Sequence, residues 1–280
     1  MLVNSKKILE SAKEGNYAVP QFNVTNLEWA KYILEKCEEM KRPVILGFSE
    51  GAIKYMGGPN TVVNLIKGLM QDLNTTIDTV IHLDHGTTVE TAKKVIDAGF
   101  TSVMIDASKY ELEENIRMTK EVVDYAHKFN VTVEAEVGHV GGVEDNISAT
   151  NLNATLEECI EMVTKTGIDS LAPAVGTSHG PYKGEPKIDF DLIKIVTENI
   201  EVPLVLHGGS GVPEASINSS INSGINKVNI DTELKQAWHK EMLEFVKENS
   251  EAYDPRKVIG SGEKAIKEVI EYKMNLFSNR

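Results

Sequence analysis

Eight short runs rich in Val, Ile and Leu alternate along this chain with longer stretches of helical periodicity, and that alternation limits the fold more than any other feature. The strand candidates are Tyr17–Phe22, Val44–Phe48, Thr79–Leu83, Ser102–Asp106, Val131–Val137, Ser170–Val175, Pro203–Leu206 and Lys227–Ile230. Most are dense in branched apolar residues, as strands buried on both faces should be. The helical stretches are Leu27–Met40, Thr61–Leu73, Val89–Ala98, Glu111–Phe129, Leu156–Thr166, Phe190–Asn199, Pro213–Ser223 and Glu233–Asn249, with Ser261–Phe277 as an extra C-terminal helix. Thr25 or Asn26 can cap the first of these, and Gly99, Gly167 and Gly224 stand where helices end. Eight strand–helix units at a spacing of roughly 30 residues fit a (β/α)8 barrel. A doubly wound open sheet alternates in the same way, but eight regular units favour closure. The expectation is an α/β protein, a single (β/α)8 TIM barrel domain spanning residues 1–280.

Composition narrows the partners. With 29 Lys and Arg against 42 Asp and Glu, the net charge of −13 disfavours nucleic acid and anionic membrane surfaces. It does not exclude an anionic small molecule, because a local ring of backbone N–H groups can hold one. No apolar run approaches the ~20 residues of a membrane span. The N-terminal residues read as the start of an amphipathic helix, not as a secretion signal. Cys37 and Cys159, both in helical patterns, make no disulfide framework. A cytoplasmic protein is expected.

A barrel of this kind builds its active site at the C-terminal ends of the strands. Read in order, those ends carry Asn23, Ser49, Asp84, His85, Asp106, Glu136, His179, the run His207–Ser210, and Asn229 to Asp231. His85, His179 and His207 follow strands three, six and seven, so closure would gather them. Three neutral imidazoles with a fourth position open describe a catalytic zinc site. A single loop histidine usually has only its own hydrogen bond, but three at equivalent positions argue for ligands.

Asp84 beside such a metal can move a proton on and off a substrate oxygen, or it can orient a ligand histidine. Strand alternation sends Asp84 and His85 to opposite faces, so the strand must end or twist for both to reach one site. Asp106 and Glu136 are either a second metal site or hydrogen-bonding rim residues. His207-Gly208-Gly209-Ser210-Gly211 lets a backbone approach an anion closely. Asn229-Ile230-Asp231-Thr232 does the same after strand eight, where barrel phosphate sites recur. Residues 138–153 form a long polar segment that is either a lid or a plain surface loop. His127 and His239 fall in helices, and His82 and His139 carry no assigned role.

The motifs HLDHG, SVMIDAS, VEAEVG, GTSHGPYKGEP, LHGGSG, KVNIDTE and YDPRK, in this order from YAVPQFN at residue 17 onward, resemble the zinc-dependent class II fructose-bisphosphate aldolases, a family that includes the tagatose-bisphosphate aldolases. The resemblance covers nearly the whole chain. It implies His85, His179 and His207 as zinc ligands and Asp84 as the group that exchanges a proton with the C4 oxygen. It implies Glu144 as the carboxylate that exchanges a proton with the enediolate carbon, and Asp106 and Glu136 as a second metal site. Gly180, Gly208, Gly209, Ser210, Asn229, Asp231 and Thr232 match the dihydroxyacetone-phosphate pocket. Ile230 and Asn23 are counted with the substrate-binding residues. Lys183 matches the phosphate and monovalent-cation region. Ser49 and Arg256 match positions that meet the far phosphate, with Arg256 reaching a neighbouring subunit's site.

The resemblance allows for a second divalent metal and a monovalent cation, Na+ or K+, and implies a homodimer or homotetramer acting on sugar bisphosphates and triose phosphates. Segments HLDHGTT and GPYKGEP look more like the fructose-bisphosphate members than the tagatose-bisphosphate ones. Three other readings compete. A Schiff-base aldolase needs a lysine in a strand at the mouth, and strands three to seven carry none. A barrel metallohydrolase would not need phosphate-gripping loops. A non-catalytic metal-binding barrel has no reason to keep Asp84 beside three ligands.

Overall fold

The computed structural model describes residues 1–144, 147–149, 152–182 and 184–278. In chain order its strands are β1 Val19–Asn23, β2 Val44–Ser49, β3 Thr79–Gly86, β4 Ser102–Ile105, β5 Thr132–Val137, β6 Gly141–Glu144, β7 Ile147–Ala149, β8 Ser170–Pro173, β9 Ser178–His179, β10 Leu204–Leu206 and β11 Ile225–Ile230. All but β6, β7 and β9 pair in parallel into one closed barrel, each strand beside the next in sequence and β11 beside β1. This is the (β/α)8 barrel, with the helix Glu263–Phe277 added at the C-terminus.

The helices lie close to their sequence-based expectations, and their ends have local causes. The Asn26 side chain accepts the Trp29 N–H and starts Leu27–Met40. Thr155 and Glu158 form a capping box that starts Leu156–Thr166, and Gly167 in a left-handed conformation ends it. Two short helices, Glu50–Tyr55 and Pro255–Gly260, were not expected. At six residues each they are too short to show a period. The expected loop 138–153 instead carries β6 and β7, an antiparallel pair, with β6 also paired to β9.

The strands are less uniformly apolar than strands buried on both faces are expected to be. Phe22, Ile81, Leu83, Val133, Ala135, Val228 and Ile230 belong to the apolar layer between barrel and helices. Their alternate neighbours Gln21, Asn23, His82, Asp84, Glu134, Glu136, Lys227 and Asn229 are equally buried but polar. Period-two alternation sends the two sets to opposite faces, and the polar set fills the barrel interior. An apolar plug closes the N-terminal end, where Ile8, Leu9 and Ala12 of the first helix pack on Val19, Ile45 and Val80. Polar side chains enclosed in this way must satisfy one another. That requirement builds the site at the other end.

Candidate active site

His85 holds a backbone conformation that non-glycine residues rarely adopt, with φ at 50° in the left-handed region. The β3–β4 register shifts between Leu83 and Gly86 at the same point. This is the twist the alternation argument required. It breaks the period and turns His85 back toward the interior that Asp84 already faces. A Cβ on Gly86 would meet the Leu83 side chain and the Met104 carbonyl oxygen, so this turn also needs glycine.

Three histidine rings converge there. The ring centroids of His85 lie 4.8 Å from His179 and 4.6 Å from His207, with His179 and His207 5.8 Å apart. One ring nitrogen from each lies within 4.8 Å of the other two. His207 follows β10 as expected, whereas His179 sits in β9, beyond the sixth barrel strand. The small sheet places it, for Gly142 of β6 pairs with His179. Gly142 has φ 106°, and a Cβ on it would run into the His179 backbone. Burial, and after it the neighbouring His85 and His207, pushes the His179 imidazole well below its usual pKa. Burial lowers that of His207 as well, against the pull of Glu134. Both are therefore neutral, lone-pair donors near pH 7.

Asp84 lies beside the histidines, 1% exposed. Asn23 Nδ2 donates to one carboxylate oxygen at 2.8 Å and Asn229 Nδ2 to the other at 3.4 Å. Gln21 Nε2 in turn donates to the Asn23 side-chain oxygen, Oδ1, at 2.9 Å. Burial opposes ionisation of Asp84, but His85, His207 and Lys227 outweigh it and hold the carboxyl well below the usual carboxylate range.

A second cluster shares His85. Its Nδ1 is 2.8 Å from Asp106 Oδ2, while Asp106 Oδ1 accepts from Ser108 Oγ, which is 2.6 Å from His139 Nδ1. His85, Asp106 and Glu136 each offer an atom within 4.8 Å of the others. Glu136 Oε1 accepts the Val140 N–H, and its Oε2 has no partner among the described residues. Burial, followed by the Asp106 charge, pushes the Glu136 carboxyl up to about 8.

A cleft opens beside His179, lined by Asn23, Asp84, His179, Gly180, Gly208, Ser210, Asn229, Asp231 and Thr232. Its wall includes the N-terminus of the helix Thr232–Glu248, whose dipole favours an anion. The Ser210 hydroxyl accepts from the Asp231 and Glu233 N–H groups and ties the β10 loop to that terminus. Tyr182 Oη accepts from the Ser178 N–H and donates to the Gly208 carbonyl, joining the two glycine-bearing loops.

Other expected residues lie elsewhere. Gly209 and Ile230 stand behind this wall, the first against Val228 and Asn229 and the second fully buried in the apolar layer. Ser49 caps Glu50–Tyr55 through the Ala52 N–H. Arg256 is 89% exposed at its side chain and pairs with Asp254. Lys183 lies outside the described residues, as do Asp145, Asn146, Thr150 and Asn151 of the expected lid segment. Glu144 is described only in its backbone, as the last residue of β6.

Gln21, Glu134, Lys227, Ser108, His139 and Tyr182 also support the site, although the rim positions in the sequence do not single them out. The first three sit one alternation deeper in the barrel than the rim residues, and QFN, EAE and KVN carried that signal. Lys227 is the strand lysine nearest to what a Schiff-base enzyme would need. It is 1% exposed and ion-paired to Glu134 at 2.7 Å, so it is no free amine nucleophile.

Comparison with known proteins agrees with this architecture. The family model described as fructose-bisphosphate aldolase class-II matches residues 3–280. The chain is 52% identical over 279 residues to the fructose-bisphosphate aldolase of Geobacillus stearothermophilus, covering 99% of this chain and 97% of that protein. It is 51% identical over 282 residues to that of Staphylococcus aureus (strain Mu50), covering 100% of this chain and 99% of that one. Among solved structures, the YdjI aldolase from Escherichia coli K12 superposes with a TM-score of 0.86 at 35% identity, covering 99% of this chain and 97% of that one.

Proposed function

We infer the reaction from the premise that the chain belongs to the class II fructose-bisphosphate aldolase family, lyases that depend on a divalent metal. Its reaction is the reversible cleavage of fructose 1,6-bisphosphate to dihydroxyacetone phosphate and glyceraldehyde 3-phosphate, with zinc as the metal. The observation that carries this reading is the convergence of three histidines beside an ionised, amide-clamped Asp84.

The donor set fits zinc. Imidazole suits the ion, three protein ligands leave a position for substrate, and neutral rings need shed no proton to bind it. His85, His179 and His207 would hold it. When bound, zinc supplies Lewis-acid polarisation of the ketose oxygens, the electron sink that breaking a bond β to a carbonyl requires.

The chain's own residues do the rest. Asp84 takes the proton from the C4 hydroxyl as the C3–C4 bond breaks and the C4 oxygen becomes the aldehyde. The electron pair stays at C3, where Glu144 delivers a proton. Asn23 and Asn229 keep Asp84 aimed. Gly180, Gly208, Ser210, Asp231 and Thr232 cradle the phosphate on the dihydroxyacetone side, with Gly209 and Ile230 behind that subsite and Lys183 belonging to its phosphate and monovalent-cation region. Ser49 and an Arg256 from a neighbouring subunit meet the other phosphate. The exposure of the Arg256 side chain supports a role outside its own barrel. Holding both phosphates fixes the reacting geometry.

The same reading takes Asp106 and Glu136, with His85, as a second divalent site, supported by the unpartnered Glu136 oxygen. It adds a monovalent cation, Na+ or K+, near the phosphate, one catalytic domain over residues 1–280, and a cytoplasmic homodimer or homotetramer. Among the described residues no helix is long and apolar enough to cross a membrane.

Triose-phosphate release from fructose and tagatose 1,6-bisphosphates, measured in parallel before EDTA, after it, and with zinc restored, tests this. Cleavage that EDTA abolishes and zinc restores, with the larger kcat/KM on the fructose ester, is the expected result. A larger value on the tagatose ester would change the substrate, since one C4 configuration separates the two. No cleavage of either by zinc-loaded protein would overturn the reading.

A further inference from the structure

Beneath the three histidines the barrel encloses an ion pair that lies outside the lining of the cleft. Lys227 Nζ of β11 reaches across the interior to Glu134 Oε2 of β5 at 2.7 Å, and Ser170 Oγ donates to the same oxygen at 3.3 Å. The other carboxylate oxygen, Oε1, lies 3.0 Å from His207 Nε2. The side chains of His207, Glu134 and Lys227 are 0%, 2% and 1% exposed. Two charges enclosed this far from water persist only where their geometry is good and their remaining donors and acceptors are met.

We propose that Glu134 and Lys227 are a positioning pair that fixes the tautomer and ring orientation of His207, so that Nδ1 presents its lone pair to the metal. The proposal rests on the reading of His207 as a metal ligand.

The direction of the hydrogen bond carries the argument. An ionised carboxylate only accepts, so the proton between Glu134 and His207 belongs to Nε2. A neutral ring has one N–H, which leaves Nδ1 bare. That nitrogen faces the site, 2.9 Å from His85 Nε2 and 3.4 Å from Asn229 Nδ2. Lys227, a pure donor, can bond the carboxylate but has no means of accepting from the ring. It therefore acts through Glu134, holding the carboxylate in place and supplying its counter-charge. Carboxylate partners of this kind typically contribute ten- to a hundredfold to metal affinity.

The tautomer can be read directly on the wild-type enzyme. Long-range ¹H–¹⁵N correlation of the His207 ring in the metal-free protein should report a protonated Nε2 and a bare Nδ1. The opposite tautomer would overturn the proposal without any variant. Glu134→Gln and Lys227→Met should each weaken zinc binding about ten- to a hundredfold in chelator competition. Each should also change the visible spectrum of the cobalt-substituted enzyme, and Lys227→Arg should restore most of the affinity. The double variant should lose no more than Glu134→Gln alone, because one residue works through the other. Single variants that bind zinc within twofold of wild type, with unchanged cobalt spectra, would reduce the pair to barrel filling. Losses that add in the double variant would give Lys227 a separate role. If wild type itself fails to bind zinc, the ligand reading of His207 fails and not this pairing alone.

Discussion

The Asn229 side-chain nitrogen stands 3.4 Å from an Asp84 carboxylate oxygen and 3.4 Å from His207 Nδ1, so one amide spans the proposed base and a proposed metal ligand. Asp84 is held from its other side by Asn23. A carboxylate gripped by two amide donors keeps its proton-accepting role without touching the metal position. Replacing it should therefore separate chemistry from metal binding.

Asp84→Asn keeps the volume but removes the charge and brings an N–H₂ group against the Asn23 and Asn229 donors. Metal content should stay near wild type while kcat falls about 10²- to 10⁴-fold, the usual weight of a general base. Metal analysis and triose-phosphate release on the same sample check this. Full turnover with metal bound would move Asp84 to a supporting role.

His85 links the two clusters, one ring nitrogen toward His207 and the other toward Asp106. His85→Ala should lose zinc and turnover together, and also the second divalent site. Dialysis against buffered zinc followed by elemental analysis reads both. Retention of zinc and turnover would remove His85 from the ligand set.

Gly142 tests the small sheet. Its φ of 106° and the contact a Cβ would make with the His179 backbone both forbid a side chain. Gly142→Ala should displace His179 while leaving the barrel core intact. Zinc affinity in chelator competition should drop by tenfold or more, given that backbone strain of this kind costs about 1–3 kcal/mol. The melting temperature of the metal-free protein should move by only a few degrees. A large loss of stability at unchanged zinc affinity would place the strain elsewhere.

The barrel was legible because apolar runs and helical stretches alternate at a regular spacing, and closure then follows from topology. The rim histidines were legible for the same reason, since His85 and His207 end their strands. His179 was legible only as a residue type. Its position depends on pairing with β6, a long-range contact that no periodicity announces. The ion pair inside the barrel hid for another reason. In VEAEV and KVNI the polar residues alternate with apolar ones, a pattern shared with half-solvated strands. Only closure shows that Glu134 and Lys227 face each other rather than water. Likewise the left-handed turn at His85 follows from the requirement that two neighbouring residues share a site, not from local propensity.

Glu136 gives the second metal site a pH signature. Its carboxyl is ordinarily near 4.5 and is raised to about 8 in the folded chain, by burial first and by the Asp106 charge second. A raised carboxyl pKa means that the folded state holds a proton the unfolded state has released. Its contribution to stability is therefore lost as pH climbs from about 4.5 to about 8. A cation bound by Asp106 and Glu136 must displace that proton. Affinity for a second divalent ion should accordingly rise with pH, approaching tenfold per unit below about pH 8, and level off above it. Manganese titration of the zinc-loaded enzyme, followed by electron paramagnetic resonance from about pH 6 to 9, measures this. Glu136→Gln should abolish the second site and flatten the pH dependence of the metal-free melting temperature. Manganese affinity that stays constant across that range would mean that Glu136 is not a ligand and serves only as a buried acceptor for the Val140 N–H.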